Sequence, residues 1–421
     1  MPRFRRPFSA VWLCTCLLAV LAPRIPLCYG AFDPVIDSPM YDAPRLPAPG
    51  VEFTLPEETI VLWLKALKRP EADMRRLAAD AVVLAQRRGE PGVLGRGAAV
   101  LGLPTAPLGP GPLLAAFAVV PVNPRMPDLD RFIESLSQTL DQPDQHPAVR
   151  LAAARALIAL NVQSSAPSLF QHSQSDGEDM REVVEPALAR WNYRPARTVW
   201  MARLRDAATP QRSLVLAIQG LKAVGEPLAG DPLQEIALSA SRAAPIRLEA
   251  ARALGTLRTD GLEHDADSLA ADAMPSGLLG RLLAVALLRR HRSENAVQLL
   301  QRLAADAEPT VAAPAVARLL EIDPDLVTPT VGRLLASPDA NLRSEAVDAL
   351  YSRPTLDGLD LLAARLEDDD PAVRVQARAA LLRLADNPEF RDRVIADASR
   401  VLEETKDHWR GLEQATILLT Q

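Results

Sequence analysis

The chain has few residues of the kinds that catalyse reactions or bind metals. Its five histidines are scattered, and none has the His-Glu-x-x-His or His-x-x-x-His spacing that places two imidazoles on one helix face. Residues 264–267 (His-Asp-Ala-Asp) could contact a cation, but a solvated turn is the simpler interpretation. Residues 368–370 are three acids that resemble a calcium patch, although an acid before Pro371 also caps a helix. We therefore expect no catalytic residue, no metal site and no cofactor.

One short segment carries the residue types that dominate protein interfaces. Residues 191–200 contain two tryptophans, one tyrosine and two arginines, and these types are enriched in interface hot spots. The segment joins two helical patterns, with Pro195 opening the second. The alternative is that its aromatic side chains fill a wider gap between repeats. The candidate docking residues are Trp191, Tyr193, Arg194, Arg197 and Trp200.

A repeat runs along most of the chain and must position these residues. Its skeleton is an aliphatic residue, then a position that is most often arginine, small residues three and six positions later, and an aliphatic residue seven later. These offsets share one helix face, so each repeat predicts a helix with an apolar stripe. From Arg150 to Arg374 the period is 31 to 33 residues. The aligned positions are Arg75, Arg150, Arg181, Leu214, Arg247, Gly280, Ala312, Arg343 and Arg374, with a degenerate tenth copy at Trp409-Arg410.

Each period has room for two short helices and two turns. Second helical patterns lie between the aligned ones, at residues 166–172, 296–303 and 359–366. A single helix pair cannot bury its apolar stripe alone, whereas stacked pairs bury it in a continuous core. We therefore predict an all-α fold, an α-α superhelix (solenoid) of about ten to eleven helical hairpins.

The pattern around Arg374, Asp-Pro-x-Val-Arg-x-x-Ala-x-x-Ala-Leu, resembles the short HEAT-like, armadillo-type repeats of the phycobilisome-lyase kind. The resemblance covers roughly residues 56–421 and implies that the hairpins are HEAT-like. It also implies that an aspartate six residues before the repeat arginine pairs with an arginine of a neighbouring repeat. Only some repeats have such an aspartate, as Asp144 and Asp368 show, so we expect a partial ladder. A lyase or cofactor-chaperone role is a less favoured implication.

Residues 1–30 have the pattern of an export signal. They begin with three arginines, and an apolar core of twelve residues follows at 11–22. That core is short for a membrane span and typical of a signal peptide. We predict cleavage after Gly30; the alternatives are an uncleaved N-terminal membrane anchor or lipidation at Cys28. All three cysteines lie in this segment, so a mature chain would contain no disulfide.

Two further segments depart from the repeat. Residues 31–55 contain five prolines and no helical period, which predicts an extended tether before a solenoid at 56–421. Glycine and proline are frequent in residues 89–127, where we expect an atypical repeat with a loop. A functional alternative is a binding loop, because long loops in regular scaffolds often carry function.

The negative net charge of the chain argues against some classes of partner. The net charge is −6, and residues 1–30 carry four arginines and no acid, so the remainder is at −10. Such a surface is a poor match for nucleic acid or anionic lipid. We predict a non-catalytic exported scaffold, periplasmic or extracellular. It binds an unidentified protein or peptide along the second helices of its hairpins. We expect no membrane insertion beyond the N-terminal signal. The alternative is a structural spacer of a cell-envelope assembly. A large exposed apolar patch on the concave surface would favour binding, and a uniformly charged surface would favour the spacer.

Overall fold

The computed structural model describes residues 57–88, 129–404 and 409–420. Within these ranges the regular structure is entirely helical, with twenty α-helices and several short 3-10 turns. None of these helices is both long enough and apolar enough to cross a membrane. The predicted signal peptide, the tether and the segment 89–127 lie outside the described residues.

The helices alternate in two sets. The odd-numbered helices are α1 (Glu57–Leu67), α3 (Leu129–Asp141), α5 (Ala166–Ser175), α7 (Arg194–Arg205), α9 (Gly230–Leu238), α11 (Glu263–Ala270), α13 (Glu294–Ala304), α15 (Val331–Leu335), α17 (Leu356–Ala364) and α19 (Pro388–Glu404). The even-numbered helices are α2 (Ala72–Arg88), α4 (Pro147–Ala159), α6 (Glu178–Arg190), α8 (Gln211–Val224), α10 (Ala244–Leu257), α12 (Leu278–Leu287), α14 (Pro309–Ile322), α16 (Ala340–Ser352), α18 (Pro371–Ala385) and α20 (Trp409–Thr420).

Every aligned repeat position lies on an even-numbered helix. This includes the degenerate copy at Trp409-Arg410, which begins α20. Each even helix packs against its preceding odd helix or against the next even helix along the stack. The described part of the chain therefore forms ten stacked hairpins, which confirms the predicted all-α solenoid.

The two layers of the stack are packed differently. Successive even helices pack closely throughout, while most successive odd helices approach one another less closely. The even layer is therefore the more closely packed of the two. Helix α2 also packs directly on α4. The repeats on either side of residues 89–128 are therefore neighbours in the stack.

The small and aliphatic repeat residues account for the tight even layer. Ala153 and Ala377, three positions after the aligned arginines, are fully buried, as is Leu157 in the seventh position. Turn chemistry sets where these helices begin. Asp370 accepts hydrogen bonds from the backbone N–H groups of Ala372 and Val373 at 2.8 and 3.4 Å, because an aspartate in this place satisfies amides that the first helical turn leaves unpaired.

Arginine–aspartate pairs connect neighbouring repeats of the even layer. Three such pairs have their arginine at, or one residue after, an aligned position: Arg150–Asp176 at 2.8 Å, Arg281–Asp306 at 2.7 Å and Arg343–Asp368 at 2.7 Å. Each arginine also donates to backbone carbonyls of the turn before its own helix. One side chain thus closes a turn and holds the next repeat.

The predicted ladder is confirmed at Asp368 and wrong at Asp144. Asp144 is exposed and has no hydrogen bond or ion pair with any described residue. Asp176 and Asp306 take the acceptor role instead, and Arg181 donates to the hydroxyl of Ser213 at 2.8 Å. The ladder is partial because Arg181 meets a serine rather than an aspartate, and because the aligned residues Leu214 and Ala312 have no side-chain donor.

Candidate partner-binding surfaces

The segment predicted to dock a partner runs from the end of α6 into α7, and its aromatic residues differ in exposure. Trp200 is fully buried. Its ring lies directly over Gly220, where an added Cβ would stand 2.9 Å from the ring atoms. Trp200 therefore fills a space between α7 and α8 and has no surface to offer a partner, which corrects the sequence interpretation at this residue.

Trp191 and Tyr193 are partly exposed and partly structural. The indole N–H of Trp191 donates to the side-chain oxygen of Asn161 at 2.7 Å. The ring of Tyr193 lies 5.6 Å from that of Phe170, measured between centroids. Both residues pack against the core, so only the outer part of each side chain is accessible.

The two arginines of the segment have different environments. Arg197 is held by an ion pair with Glu226 at 3.2 Å and by a hydrogen bond to Asn192. Arg194 is exposed and has no hydrogen bond or ion pair with a described residue. Arg194, Thr198 and Ala202 are all exposed and follow at intervals of four, so they share one outward face of α7.

A shallow hollow lies beside this face. It has a volume of about 320 Å³ and is lined by Thr198, Val199, Ala202, Arg203, Asp206 and Thr209. We call it the α7 hollow. The α7 hollow and Arg194 are the parts of the predicted docking segment that a partner could reach. Docking itself stays a prediction.

A buried carboxylate on α6 contacts α7. Glu185 of α6 is 2 % exposed and receives a hydrogen bond from Arg203 at 2.6 Å. Burial raises the pKa of Glu185, and Arg203, Trp200 and Arg181 act in the opposite direction. The contact fixes Arg203, a lining residue of the α7 hollow, to the neighbouring repeat.

A second hollow is built mainly from arginines. It has a volume of about 310 Å³ and is lined by Thr259, Arg290, Arg292 and Arg318. We call it the arginine hollow. Thr259 follows α10, Arg290 and Arg292 follow α12, and Arg318 belongs to α14, so three successive repeats contribute to it.

His291 lies between two of these arginines in sequence, but it is fully buried. Its ring lies near the backbone of Asp260, but neither ring nitrogen makes a hydrogen bond of ordinary geometry. Burial lowers the pKa of His291, against a smaller opposing effect from Glu263 and Asp260. Its imidazole is therefore neutral near pH 7, and its backbone oxygen accepts a hydrogen bond from Arg318 at 3.1 Å.

An acidic group with a strongly shifted pKa lies on the even layer. Burial raises the pKa of Glu345 in α16 to about 7, and the neighbouring charges of Asp348 and Glu321 act in the same direction. Glu345 lines neither hollow. Its shift follows from burial among like charges rather than from a site built around it.

We expect Glu345→Gln to stabilise the fold at high pH only. Folding raises the pKa of Glu345, so the folded state binds more protons and the free energy of unfolding falls as pH rises from about 4.5 through 7. Glutamine does not titrate, so the variant avoids this destabilisation. Its free energy of unfolding should exceed that of the wild type by on the order of 1 kcal/mol at pH 8 and by little at pH 4.5. Urea unfolding at pH 8 and at pH 4.5 measures the free energy of unfolding, with the exposed Glu235→Gln as control. An equal gain in stability at the two pH values would contradict the prediction.

The acidic clusters noted in the sequence have structural partners. In residues 264–267, Asp265 accepts from Gln234 at 2.6 Å and Asp267 pairs with Arg302. In residues 368–370, Asp368 pairs with Arg343 and Asp370 caps α18. The described ranges contain no group of three metal-ligating side chains, and the clusters are accounted for by these contacts.

Comparison with known proteins agrees with this architecture. A model of HEAT repeats matches residues 296–383, which extend from α13 into α18. The chain folds as an α-solenoid, and residues 296–383 of it are similar to HEAT repeats. No curated protein matches the chain.

Among solved structures, Kap121p bound to Pho4p matches with a TM-score of 0.39 and 12% identity over 87% of this chain. The karyopherin Kap121p bound to the extreme C-terminus of the protein phosphatase Cdc14p matches with a TM-score of 0.32 and 13% identity, again over 87% of this chain. The present chain spans only 42% and 38% of those two chains.

Proposed function

We propose that this protein is a non-catalytic scaffold that binds a protein or peptide along its solenoid surface. The observation that carries the proposal is the outward face of α7, where Arg194, Thr198 and Ala202 are exposed beside a hollow. These side chains take no part in the packing between repeats. A stack of ten hairpins presents many such faces in a fixed order, which suits binding through distributed contacts.

Exposed apolar side chains show that the surface is not uniformly charged, which counts against a purely structural spacer. Leu356 and Leu361 of α17 and Ile395 of α19 are 56, 42 and 47 % exposed, and these two odd-layer helices pack together. At the other end of the stack, Leu62 and Leu77 are 61 and 55 % exposed. A uniformly charged surface, as expected of a spacer, would lack such groups.

Affinity capture from the native extract tests the proposal. The bait is the full chain, and the test variant carries Arg194→Glu with Thr198→Arg, which reverses one charge and obstructs the α7 hollow. The matched control is Arg155→Glu, because Arg155 is also exposed, helical and without a described partner. We expect proteins that the wild type and the control enrich and the test variant loses. If the wild type enriches none, the scaffold proposal is wrong.

The same affinity capture tests the resemblance to the phycobilisome-lyase type. A relation to the phycobilisome-lyase type would place a cofactor-bearing protein among the captured partners. A visible absorption band in the eluate would identify such a partner, and its absence from a reproducible set of captured proteins would remove the cofactor-chaperone alternative.

We further propose that the protein is exported. The support is the basic start and twelve-residue apolar core of residues 1–30. Cell fractionation and the intact mass of the native protein test it. A mature chain that begins near Ala31 would support export with cleavage, whereas a full-length chain found in the cytosol would contradict it.

A further inference from the structure

One repeat breaks the rule that gives the even layer its close packing. Six positions after the aligned residue, eight of nine repeats have alanine or glycine, and one has arginine. The residues are Ala81, Ala156, Ala187, Gly220, Ala253, Ala286, Arg318, Ala349 and Ala380. A guanidinium therefore stands where the other repeats need a small side chain, and it is 8 % exposed.

We propose that the arginine hollow binds an acidic segment of a partner protein, seating a carboxylate against Arg318, Arg290 and Arg292. This inference rests on the proposed function and adds the chemical class of the partner. Arginine presents several N–H donors in a planar fork that matches carboxylate geometry. The position at the ends of three successive even helices leaves the hollow open to a partner lying across the repeats.

The hydrogen bonds of the arginines leave donors for a ligand. Arg318 donates to Glu321 at 2.8 Å and to the backbone oxygen of His291, while its Nε is buried without a partner. Arg290 makes one hydrogen bond, to the backbone oxygen of Thr256. Arg292 is exposed and has no partner among the described residues. The exposed N–H groups of Arg290 and Arg292 are therefore the donors that an incoming carboxylate can reach.

The side chains that line the hollow are three arginines and one threonine, so the lining itself carries positive charge and no negative charge. Glu321 lies beside it and engages one nitrogen of Arg318. Two further acids, Glu263 and Asp260, act on the buried His291. The positively charged lining favours an anionic ligand, in a chain whose net charge is −6.

Fluorescence anisotropy with a labelled hexaglutamate peptide and the full chain tests the inference. The test variant is Arg290→Glu with Arg292→Glu, both exposed and therefore compatible with folding. The control is Arg155→Glu with Arg205→Glu, which makes the same change of net charge at exposed arginines that have no described partner. We expect saturable binding that weakens about tenfold or more in the test variant and much less in the control.

Other outcomes overturn the inference. Equal weakening in both variants would mean general electrostatic attraction, and binding of inorganic phosphate without binding of hexaglutamate would mean a site for free anions. Arg318→Ala, which restores the small residue, should also abolish peptide binding; intact binding in that variant would contradict the role of Arg318.

The two proposals fail separately. If the affinity capture enriches partners equally well with wild type and with Arg290→Glu/Arg292→Glu, and hexaglutamate does not bind, the scaffold proposal stands and the acidic ligand is wrong. If hexaglutamate binds at the hollow but no protein is captured, the scaffold proposal is the one that fails.

Discussion

Asp368→Asn is expected to destabilise the C-terminal repeats by about 3 kcal/mol, because it leaves Arg343 buried without its counter-charge. The aspartate side chain is 2 % exposed and accepts from Arg343 at 2.7 Å, with Arg365 at 3.6 Å. The backbone N–H of Asp370 also donates to it at 3.0 Å. One carboxylate thus joins the repeat of α16 to that of α18.

Hydrogen exchange followed along the chain measures where stability is lost. Repeat proteins depend mainly on contacts between neighbouring repeats, so amides of α16 to α20 should lose more protection than those of α4 to α8. The control is Asp369→Asn, in the same turn, because Asp369 is exposed and acts on Arg343 only through its charge, with no hydrogen bond or ion pair of its side chain to a described residue. Uniform loss along the whole stack, or an equal effect of the control, would refute the pairing as the cause.

The pH dependence of this variant has a defined sign. Burial alone would raise the pKa of Asp368, but the hydrogen bonds and charges of Arg343 and its neighbours lower the pKa below its usual range. The stabilisation is therefore fully present above the unfolded value of about 4 and is lost as pH falls through the lower folded value. The difference between wild type and Asp368→Asn should shrink on acidification; a difference that grows would contradict the assignment.

The fold could be predicted because its determinant is local and repeated. The third position is alanine in seven of the nine copies and the seventh is aliphatic in all nine, and the burial of such residues in the even layer is what stacks the hairpins. Even the degenerate copy at Trp409-Arg410 begins a helix, α20. Repetition provides the evidence that a single helix pattern would lack.

The sites were harder to predict, since they depend on which neighbour a side chain meets. Asp306 was missed because the pattern requires an arginine six residues after the aspartate, and that position is Ala312. Its partner, Arg281, lies one residue after the aligned Gly280. Trp200 was expected at the surface because its residue type is common in interfaces. Its burial depends on Gly220, which lies on another helix.

The arginine hollow did have a signal in the sequence. Arg318 occupies the sixth position, which is alanine or glycine in the other eight copies. Comparing the repeats column by column, rather than asking only whether the pattern recurs, would have identified it. The neighbouring Arg290 and Arg292 would still require the structure, because they lie in the turn after α12.

Gly255→Ala should destabilise the middle of the stack by about 3 kcal/mol, although alanine is normally the better helix former. Gly255 lies on α10 where that helix crosses the end of α12. A Cβ at this position would stand 2.1 Å from the backbone oxygen of Ala286 and 2.6 Å from that of Leu287. Neither atom belongs to a flexible side chain, so the two helices would have to separate.

Gly332→Ala is the matched control for this substitution. Gly332 is also helical, in α15, but an added Cβ there meets nothing within 4 Å. The same chemical change should therefore be neutral or stabilising by up to about 1 kcal/mol at that site. Thermal unfolding compares the two variants, and hydrogen exchange should locate the loss for Gly255→Ala in α10 to α12. Shifts of the same sign and size would show that helix propensity, rather than the close approach of α10 and α12, determines the result.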